Sequence, residues 1–271
     1  MKLVLHCRDC TEIHGLAVGG VVPENREVMF AELRDDGLYD VTCPQGHRNL
    51  VALGNLKFEV LFQSGAMALL DGYVREAVSS IAAALERFYE FYIRVMLLRH
   101  DIPPQDAERT WKMVSSQSER QVGAFFFLYL LENKRAVGFI ADRYVKFRNE
   151  VIHKGYIPTN EEVISYGEEV LSFIFSISRE LNAGSNAFVR RMLDLDSGKV
   201  GEKRRDLPYS KLLCKTIINL SMYARGFGLR FNSDPNVAPK DLFGKTTFRQ
   251  ALEELRKELE EVDNRLHTWT R

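Results

Sequence analysis

The chain has 271 residues, of which 45% are hydrophobic, and this is enough to bury the core of one large or two smaller globular domains. Its 37 basic residues equal its 37 acidic residues, so the overall charge excludes long-range attraction to nucleic acid, and any contact with RNA needs a local basic patch. The sequence has no signal-peptide pattern, and its most apolar run, from Ala124 to Leu131, is too short to span a bilayer. We therefore expect a soluble, cytoplasmic protein with no membrane partner.

The first 60 residues have the pattern of a small β-sheet. Short runs of β-forming residues are separated by glycine, proline, asparagine and aspartate, which are typical of hairpin turns. The predicted strands are Met1 to Leu5, Glu27 to Leu33 and Asn49 to Leu53, and the turns are Gly19-Gly20, Pro23 to Asn25 and Asp35 to Gly37.

Three cysteines and one histidine within this segment predict a structural zinc site. Their positions are Cys7, Cys10, Cys43 and His47. Each pair lies on a tight turn that can present two ligands to one tetrahedral ion, and so small a domain needs such an ion to complete its core. The arrangement is similar to a zinc ribbon whose last cysteine is replaced by histidine. His6 and His14 are alternative fourth ligands, and the competing interpretation is three buried thiols beside a surface histidine.

The middle of the chain has helical periodicity. After a connecting segment from Gly54 to Phe62, apolar residues at helical spacing predict one long helix from Ser64 to Val95, and Asp106 begins a shorter helix through Val114. The run from Gly123 to Leu131, with Phe125 to Phe127, is apolar nearly all round, and we interpret it as the centre of a bundle rather than as a cofactor or membrane segment.

A further helix, beginning near Ala136 and ended by Gly155, carries the candidate catalytic residues Arg148, Asn149 and His153. A guanidinium is shaped to bind phosphate, and histidine can act as an acid or a base near neutral pH. Arg148 and His153 are five residues apart, so an ideal helix places their side chains about 140° apart around its axis. They can contact the same target only if the backbone departs from ideal helical geometry at the end of the helix. The alternative is that Arg148 pairs with a carboxylate and His153 is an ordinary polar residue at a helix end.

The order arginine, asparagine, three residues and histidine at a helix end resembles the signature of the HEPN superfamily. The resemblance extends as a pattern from Ser64 to Leu193, because Thr159 to Glu162 predict the capped start of another helix. It implies an antiparallel helical bundle, metal-independent cleavage of RNA, and a homodimer with the motifs of both chains in one cleft. Glu86 and Glu90 lie one turn apart on the same side of a helix, and either could hold Arg148 or Arg143 in place, Glu86 being the candidate beside the apolar face. The favoured alternative is that both carboxylates lie on a solvated face.

The last part of the chain predicts a helical extension. Asp194 to Pro208 is interpreted as a surface linker, whose basic cluster at residues 202–205 could follow an RNA backbone together with Arg190 and Arg191. Lys211 to Tyr223 has helical spacing and places Cys214 as a buried thiol. A long loop from Gly226 to Gly244 precedes a helix from Thr247 to Leu266. The leucines of that helix form a stripe suited to a partner helix, namely Leu252, Leu255, Leu259 and Leu266, with Val262.

Together these patterns predict a mainly α protein with a zinc-ribbon-like β domain (1–60), a HEPN-like bundle (61–195) and a C-terminal extension (196–271). The resemblance implies a ribonuclease acting as a toxin or antiviral defence effector, with an antitoxin or another regulatory protein as a further partner. The alternative is a non-catalytic module that dimerises and binds a protein or nucleic acid through its zinc ribbon.

Overall fold

The described part of the protein is mainly helical, and four of its five strands lie before residue 54, as the composition and periodicity predicted; the fifth strand, Tyr209–Leu212, was not predicted. The computed structural model describes residues 2–5, 7, 9–10, 29–203, 209–224 and 247–269, with only the backbone at some element ends. Among the predicted features that lie outside these ranges are His6, His14, the turns at Gly19-Gly20 and Pro23 to Asn25, Arg204, Arg205 and the loop from Gly226 to Gly244.

The strands form two small sheets. β1 (Lys2–Leu5) pairs antiparallel with β2 (Met29–Glu32), and β3 (Leu38–Thr42) pairs antiparallel with β4 (Arg48–Leu53). These bounds confirm the three predicted strands and add β3. β5 (Tyr209–Leu212) then pairs parallel to β4.

The helices α1 (Lys57–Leu70) and α2 (Val74–Arg99) are separate, so the prediction of one long helix from Ser64 to Val95 was wrong. The break follows from Gly72, whose φ of 83° cannot continue a right-handed helix. Apolar spacing alone did not reveal it, because both helices bury a continuous face. α3 (Pro104–Val114) confirms the predicted shorter helix.

α4 (Ser118–Asn133) is only partly buried, although its sequence predicted a helix in the core. Phe125 is fully buried, whereas Phe127 is 78% exposed and Leu131 is 57% exposed. The prediction was therefore wrong for one face of this helix, because apolar residues all round a helix do not show how many neighbours are available to cover it. Among the described residues, no helix is both long and apolar enough to cross a membrane.

α5 (Asp142–Lys154) and α6 (Asn160–Lys203) confirm that a helix lies on each side of Gly155. The predicted start of the first of these helices, near Ala136, was wrong, because residues 136–141 are not helical. Gly155 has a φ of 74°, the left-handed conformation that ends a helix and that glycine adopts at least cost. Thr159 caps α6, because its Oγ1 accepts a hydrogen bond from the Glu162 amide at 3.3 Å, and the Glu162 carboxylate accepts one from the Thr159 amide at 2.8 Å.

α6 continues through the predicted linker, with a bend at Ser185, where φ is −141° and ψ is 18°. The prediction that Asp194 to Pro208 forms a surface linker was therefore wrong up to Lys203, because Gly198 and Gly201 are tolerated inside the helix. Helix α6 also crosses residue 196, at which we placed a domain boundary.

The region from Lys211 to Tyr223 is not the predicted helix. Lys211 and Leu212 belong to β5, and only a short helix, α7 (Leu220–Ala224), follows. Pairing with β4 overrides the local spacing there. The helix α8 (Phe248–Trp269) confirms the predicted C-terminal helix, but Leu252 is 6% exposed and packs in the core of this same chain, so the stripe is not wholly free for a partner.

The helical core is built around α2, which packs against α1, α4, α5 and α6. Phe58 of α1 contacts Phe88 of α2 edge to face, with ring centroids 5.1 Å apart, and Phe88 contacts Phe173 of α6 at 6.4 Å. Phe248 anchors α8 against Phe62 of α1 at 5.3 Å. These contacts fix the position of α5, which carries Arg148.

Candidate functional site

The four predicted metal ligands lie together at one end of the β region. Cys7 and Cys10 follow β1, and Cys43 and His47 lie on the turn between β3 and β4. That turn is closed by hydrogen bonds from the Cys43 amide to the His47 carbonyl at 3.0 Å and from the Gly46 amide to the Cys43 carbonyl at 2.8 Å. The three sulfur atoms and one imidazole nitrogen lie within 4.8 Å of one another.

The distances between these atoms match the edges of a tetrahedron around a metal ion. With metal bonds of about 2.3 Å to sulfur and 2.05 Å to nitrogen, ligand atoms should be about 3.8 Å apart for two sulfurs and about 3.6 Å apart for sulfur and nitrogen. The Sγ atoms of Cys10 and Cys43 are 3.9 Å apart. His47 Nδ1 lies 3.7 Å from Cys7 Sγ, 3.3 Å from Cys10 Sγ and 3.7 Å from Cys43 Sγ. This Cys₃His cluster could hold a metal ion.

The surroundings of Cys7 favour its thiolate form. Burial raises the pKa of this thiol, but hydrogen bonds from the Cys10 amide and the Asn49 side chain outweigh it and lower the pKa to about 7. Asn49 is 5% exposed, and its Nδ2 lies 3.2 Å from Cys7 Sγ and 2.9 Å from the His47 carbonyl oxygen. Asn49 thus joins the two halves of the cluster, a role that the sequence did not reveal.

Arg148 is held by two neighbours. Its Nη2 donates to Glu86 Oε1 at 2.7 Å, and its Nη1 donates to Asn149 Oδ1 at 2.9 Å. The Arg148 and Glu86 side chains are 20% and 26% exposed, so this ion pair is screened less than a surface pair. Glu86 therefore pairs with Arg148, the less favoured of its two sequence interpretations, and Glu90 pairs with Arg87 and Arg94 instead of lying free on a solvated face.

His153 lies apart from this pair. It is exposed in the last turn of α5, and within the described part of the chain it has no hydrogen-bond partner. The helix is continuous through Lys154, so the separation of about 140° that an ideal helix gives is not relaxed before Gly155. Within one chain, Arg148 and His153 therefore point to different sides of α5.

A cavity of about 140 Å³ opens beside Arg148 and Asn149. It is bounded by α2, the start of α4, the segment before α5, α5 itself and α6, and its mouth includes the exposed residues Glu119 and Val145. His153 does not line it. Most of the wall is apolar or aromatic, and its non-aromatic polar side chains are Glu86, Ser118, Glu119, Arg148 and Asn149.

Tyr89 and Tyr166 are two buried tyrosines beside this cavity. Each is 3% exposed, and both residues line the wall. Burial raises the pKa of both hydroxyls, so both stay protonated at neutral pH. The Tyr89 hydroxyl has no hydrogen-bond partner among the described residues. The sequence analysis missed both residues, because tyrosines at core spacing in a helix are usually packing residues.

The basic residues predicted to follow RNA are only partly described. Arg190 and Arg191 are exposed on α6. Lys203 is the last residue of that helix, and its side chain lies outside the described residues. The described pair alone is a small positive surface.

Comparison with models of protein families, with curated proteins and with solved structures finds no match for this chain. The site therefore has to be interpreted from its own residues.

Proposed function

We propose that this protein is a metal-independent endoribonuclease whose site is formed by Arg148, Asn149 and His153. The observation that supports the proposal is the placement of three polar side chains along α5, with Arg148 and Asn149 in the middle of the helix and His153 in its last turn. Arg148 and Asn149 form one hydrogen-bonded unit beside an open cavity, and His153 presents a free imidazole at the exposed helix end. The HEPN-like order of the three residues supports the same conclusion.

The chemistry proposed is attack of the RNA's own 2′-hydroxyl on the adjacent phosphorus. This step forms the O2′–P bond and breaks the P–O5′ bond, leaving a 2′,3′-cyclic phosphate and a 5′-hydroxyl. The His153 imidazole can accept the 2′-hydroxyl proton or supply a proton to the departing 5′-oxygen, and water makes the other of these two transfers. Arg148 uses two N–H groups on Glu86 and Asn149, so its remaining donors can stabilise negative charge on the phosphate. Asn149 orients the phosphate or ribose.

Two copies of the chain complete the proposed site. Because Arg148 and His153 face different sides of α5, Arg148 of one copy and His153 of the second act on the same phosphate across a two-fold axis. The biological role included in this proposal is that of a toxin or antiviral effector, in keeping with the resemblance.

We assign zinc to the Cys₃His cluster. Three thiolates and one imidazole are the donor set that zinc prefers, and with all four positions filled by protein the ion keeps no open site for substrate. Its contribution is to the folding of the β region. Replacing Cys43 with serine should remove about one zinc ion per chain, measured by elemental mass spectrometry. Cys214→Ser, which changes a half-buried thiol outside the ligand set, is the matched control, and equal zinc in both variants would contradict the assignment.

The second candidate function is a non-catalytic module that dimerises and binds a protein or nucleic acid. The Arg148–Glu86 ion pair favours it, because a guanidinium already neutralised by a carboxylate binds phosphate less strongly. In this case Arg148 and Glu86 stabilise the contact between α5 and α2.

The deciding experiment is incubation of the purified chain with labelled RNA in buffer without divalent cations, followed by analysis of the product ends. The parent should yield cyclic-phosphate ends, His153→Ala should lose at least about 100-fold in rate, and RNA with a 2′-deoxyribose at the cut should resist cleavage. His100→Ala is the matched control, since His100 is also exposed at a helix end but pairs with Glu132 outside the motif. Equal cleavage by the His153 and His100 variants would refute the catalytic role, and no cleavage by the folded parent would favour the binding module.

A further inference from the structure

The three sulfur-bearing side chains of the Cys₃His cluster differ in their exposure to solvent. Cys7 and Cys43 are each 4% exposed, whereas Cys10 is only partly buried. A dissolved oxidant or alkylating agent has to reach a sulfur atom before it can react with it. Access therefore favours Cys10 over the other two cysteines of the cluster.

The three sulfur atoms also differ in the hydrogen bonds that they accept. Cys7 Sγ accepts from the Cys10 amide at 3.5 Å and from Asn49 Nδ2 at 3.2 Å. Within the described part of the chain, no backbone or side-chain amide donates to the Sγ of Cys10 or of Cys43. His47 Nδ1 lies 3.3 Å from Cys10 Sγ, but as a metal ligand this nitrogen carries no proton to donate.

These two differences decide which sulfur reacts first when the cluster holds its metal. A cysteine that binds a metal does so as the thiolate, so the three sulfurs do not differ in their fraction of thiolate. Hydrogen bonds from N–H groups stabilise the charge of a thiolate and make it a weaker nucleophile. Cys7 is both buried and hydrogen-bonded, Cys43 is buried, and Cys10 alone combines access with a sulfur that accepts no amide hydrogen bond from the described residues.

We propose that Cys10 is the oxidation site of this cluster, at which a peroxide begins the conversion of Cys10 and Cys43 into a disulfide with loss of the metal ion. The inference rests on the assignment of zinc to the cluster and is independent of the ribonuclease activity. It makes the fold of the β region sensitive to oxidants.

The first step is attack of the Cys10 sulfur on the O–O bond of hydrogen peroxide. The S–O bond forms, the O–O bond breaks, and the hydroxide that leaves takes up a proton to become water. The product is a sulfenic acid on Cys10.

The second step is attack of the Cys43 sulfur, 3.9 Å away, on the Cys10 sulfur. The S–S bond forms, the S–O bond breaks, and the second hydroxide also becomes water. Peroxide has then gained two electrons, and the two thiolates have lost them. Cys43 takes this part because the hydrogen bonds to Cys7 Sγ make Cys7 the weaker nucleophile. With only Cys7 and His47 left as ligands, the chain no longer holds the ion.

The test measures the reactivity of each cysteine in the full-length, zinc-loaded chain. The chain is treated with a substoichiometric amount of N-ethylmaleimide, unfolded, and then labelled completely with the deuterated reagent, so that mass spectrometry gives the fraction that reacted first at each position. Trypsin places the four cysteines on four separate peptides, residues 3–8, 9–26, 35–48 and 212–215. Cys10 should react at least about tenfold faster than Cys7 and Cys43.

Two controls separate the effect of the folded cluster from exposure and from local sequence. Cys214 is also partly buried but lies outside the ligand set, so it should react at least about tenfold more slowly than Cys10. In guanidinium chloride with EDTA, the rates of the four cysteines should agree within about threefold, because the folded environment is lost.

A peroxide arm tests the second step. About one equivalent of hydrogen peroxide should release about one zinc ion per chain, measured with a chromogenic chelator, and should join the peptides 9–26 and 35–48 by a disulfide. Cys214→Ser should release zinc at the rate of the parent, since Cys214 takes no part in the reaction.

The possible results distinguish this inference from the assignment of zinc. A zinc-loaded chain in which Cys7, Cys43 or Cys214 reacts first, or in which all four cysteines react equally, would overturn the role of Cys10 and leave the zinc assigned. A disulfide between Cys7 and Cys10 would overturn the role of Cys43. A purified, folded chain that contains no zinc would refute the assignment of zinc and this inference together.

Discussion

The Glu59 carboxyl should make the stability of this protein depend on pH in a direction opposite to that of most acidic groups. Glu59 is fully buried in α1. It accepts hydrogen bonds from the Leu56 amide at 2.9 Å, the Ser221 amide at 2.7 Å and the Ser221 hydroxyl at 2.5 Å. Burial raises its pKa from 4.5 to about 7, although these hydrogen bonds oppose the shift.

The sign of the effect follows from proton linkage. Between pH 4.5 and about 7 the folded chain keeps a proton on Glu59 that the unfolded chain has released, so the free energy of unfolding falls as pH rises through this window. Each pKa unit corresponds to about 1.4 kcal/mol, and the full shift therefore amounts to about 3 kcal/mol. From pH 5.5 to 8, this group should lower the free energy of unfolding by about 2 kcal/mol.

Glu59→Gln isolates this contribution, because glutamine has nearly the same shape and does not ionise. Its NH₂ group cannot accept from the donors that now reach one carboxylate oxygen, so the variant should lose about 1–3 kcal/mol at pH 5.5. The stability advantage of the parent over the variant should then fall by about 2 kcal/mol as pH rises to 8, and an advantage smaller than this changes sign.

Urea unfolding of the zinc-loaded proteins at several pH values between 5.5 and 8 measures this difference. Glu253→Gln, on the exposed face of α8, is the matched control and should follow the parent at every pH. Parallel curves for the parent and Glu59→Gln would refute the reasoning, because they would mean that Glu59 has the same pKa in the folded and unfolded chains.

Two further predictions concern packing. Gly167→Ala should destabilise the protein by about 1–3 kcal/mol, because the added Cβ would lie 2.3 Å from the buried Phe248 ring. In the control variant Gly123→Ala the added Cβ meets nothing within 4 Å, so this change should be neutral or slightly stabilising. Thermal unfolding compares the two variants, and equal melting temperatures would contradict the packing of α8. Phe125→Ala should lower the free energy of unfolding by about 3–5 kcal/mol, because the Phe125 ring is fully buried. Phe127→Ala should lower it by less than about 0.5 kcal/mol, because the Phe127 side chain is 78% exposed. Urea unfolding measures both values, and a similar loss for both variants would mean that the exposed face of α4 is covered in solution.

The features that could be predicted from sequence are those encoded over a few residues. The glycine at position 155 ended α5, Thr159 and Glu162 capped α6, and the paired spacing of Cys7 with Cys10 and of Cys43 with His47 indicated a metal cluster. The glycine, the cap and each ligand pair act within five residues, whereas the joining of the two pairs, 33 residues apart at Cys10 and Cys43, was inferred from the need of a tetrahedral ion for four ligands.

The features that could not be predicted depend on distant partners. Local periodicity favoured a helix after Lys211, but the neighbouring β4 strand recruits this segment into a sheet. The burial of Tyr89 and Tyr166 around one cavity required the positions of two helices that are far apart in sequence. For the same reason, the sequence suggested Glu86 as a partner for Arg148 but did not place the pair at the edge of a cavity.

The parallel pairing of β4 with β5 has a consequence for the order of events during synthesis. Leu50 pairs with Tyr209, so the third strand of this sheet leaves the ribosome only after α1 to α6 have been made. Until then the nascent chain presents one edge of β4 with unpaired amide and carbonyl groups, which another nascent chain could extend. A chaperone that shields this edge should therefore reduce aggregation of the nascent chain. A stop codon before Tyr209 should increase aggregation, and it should change the helices less.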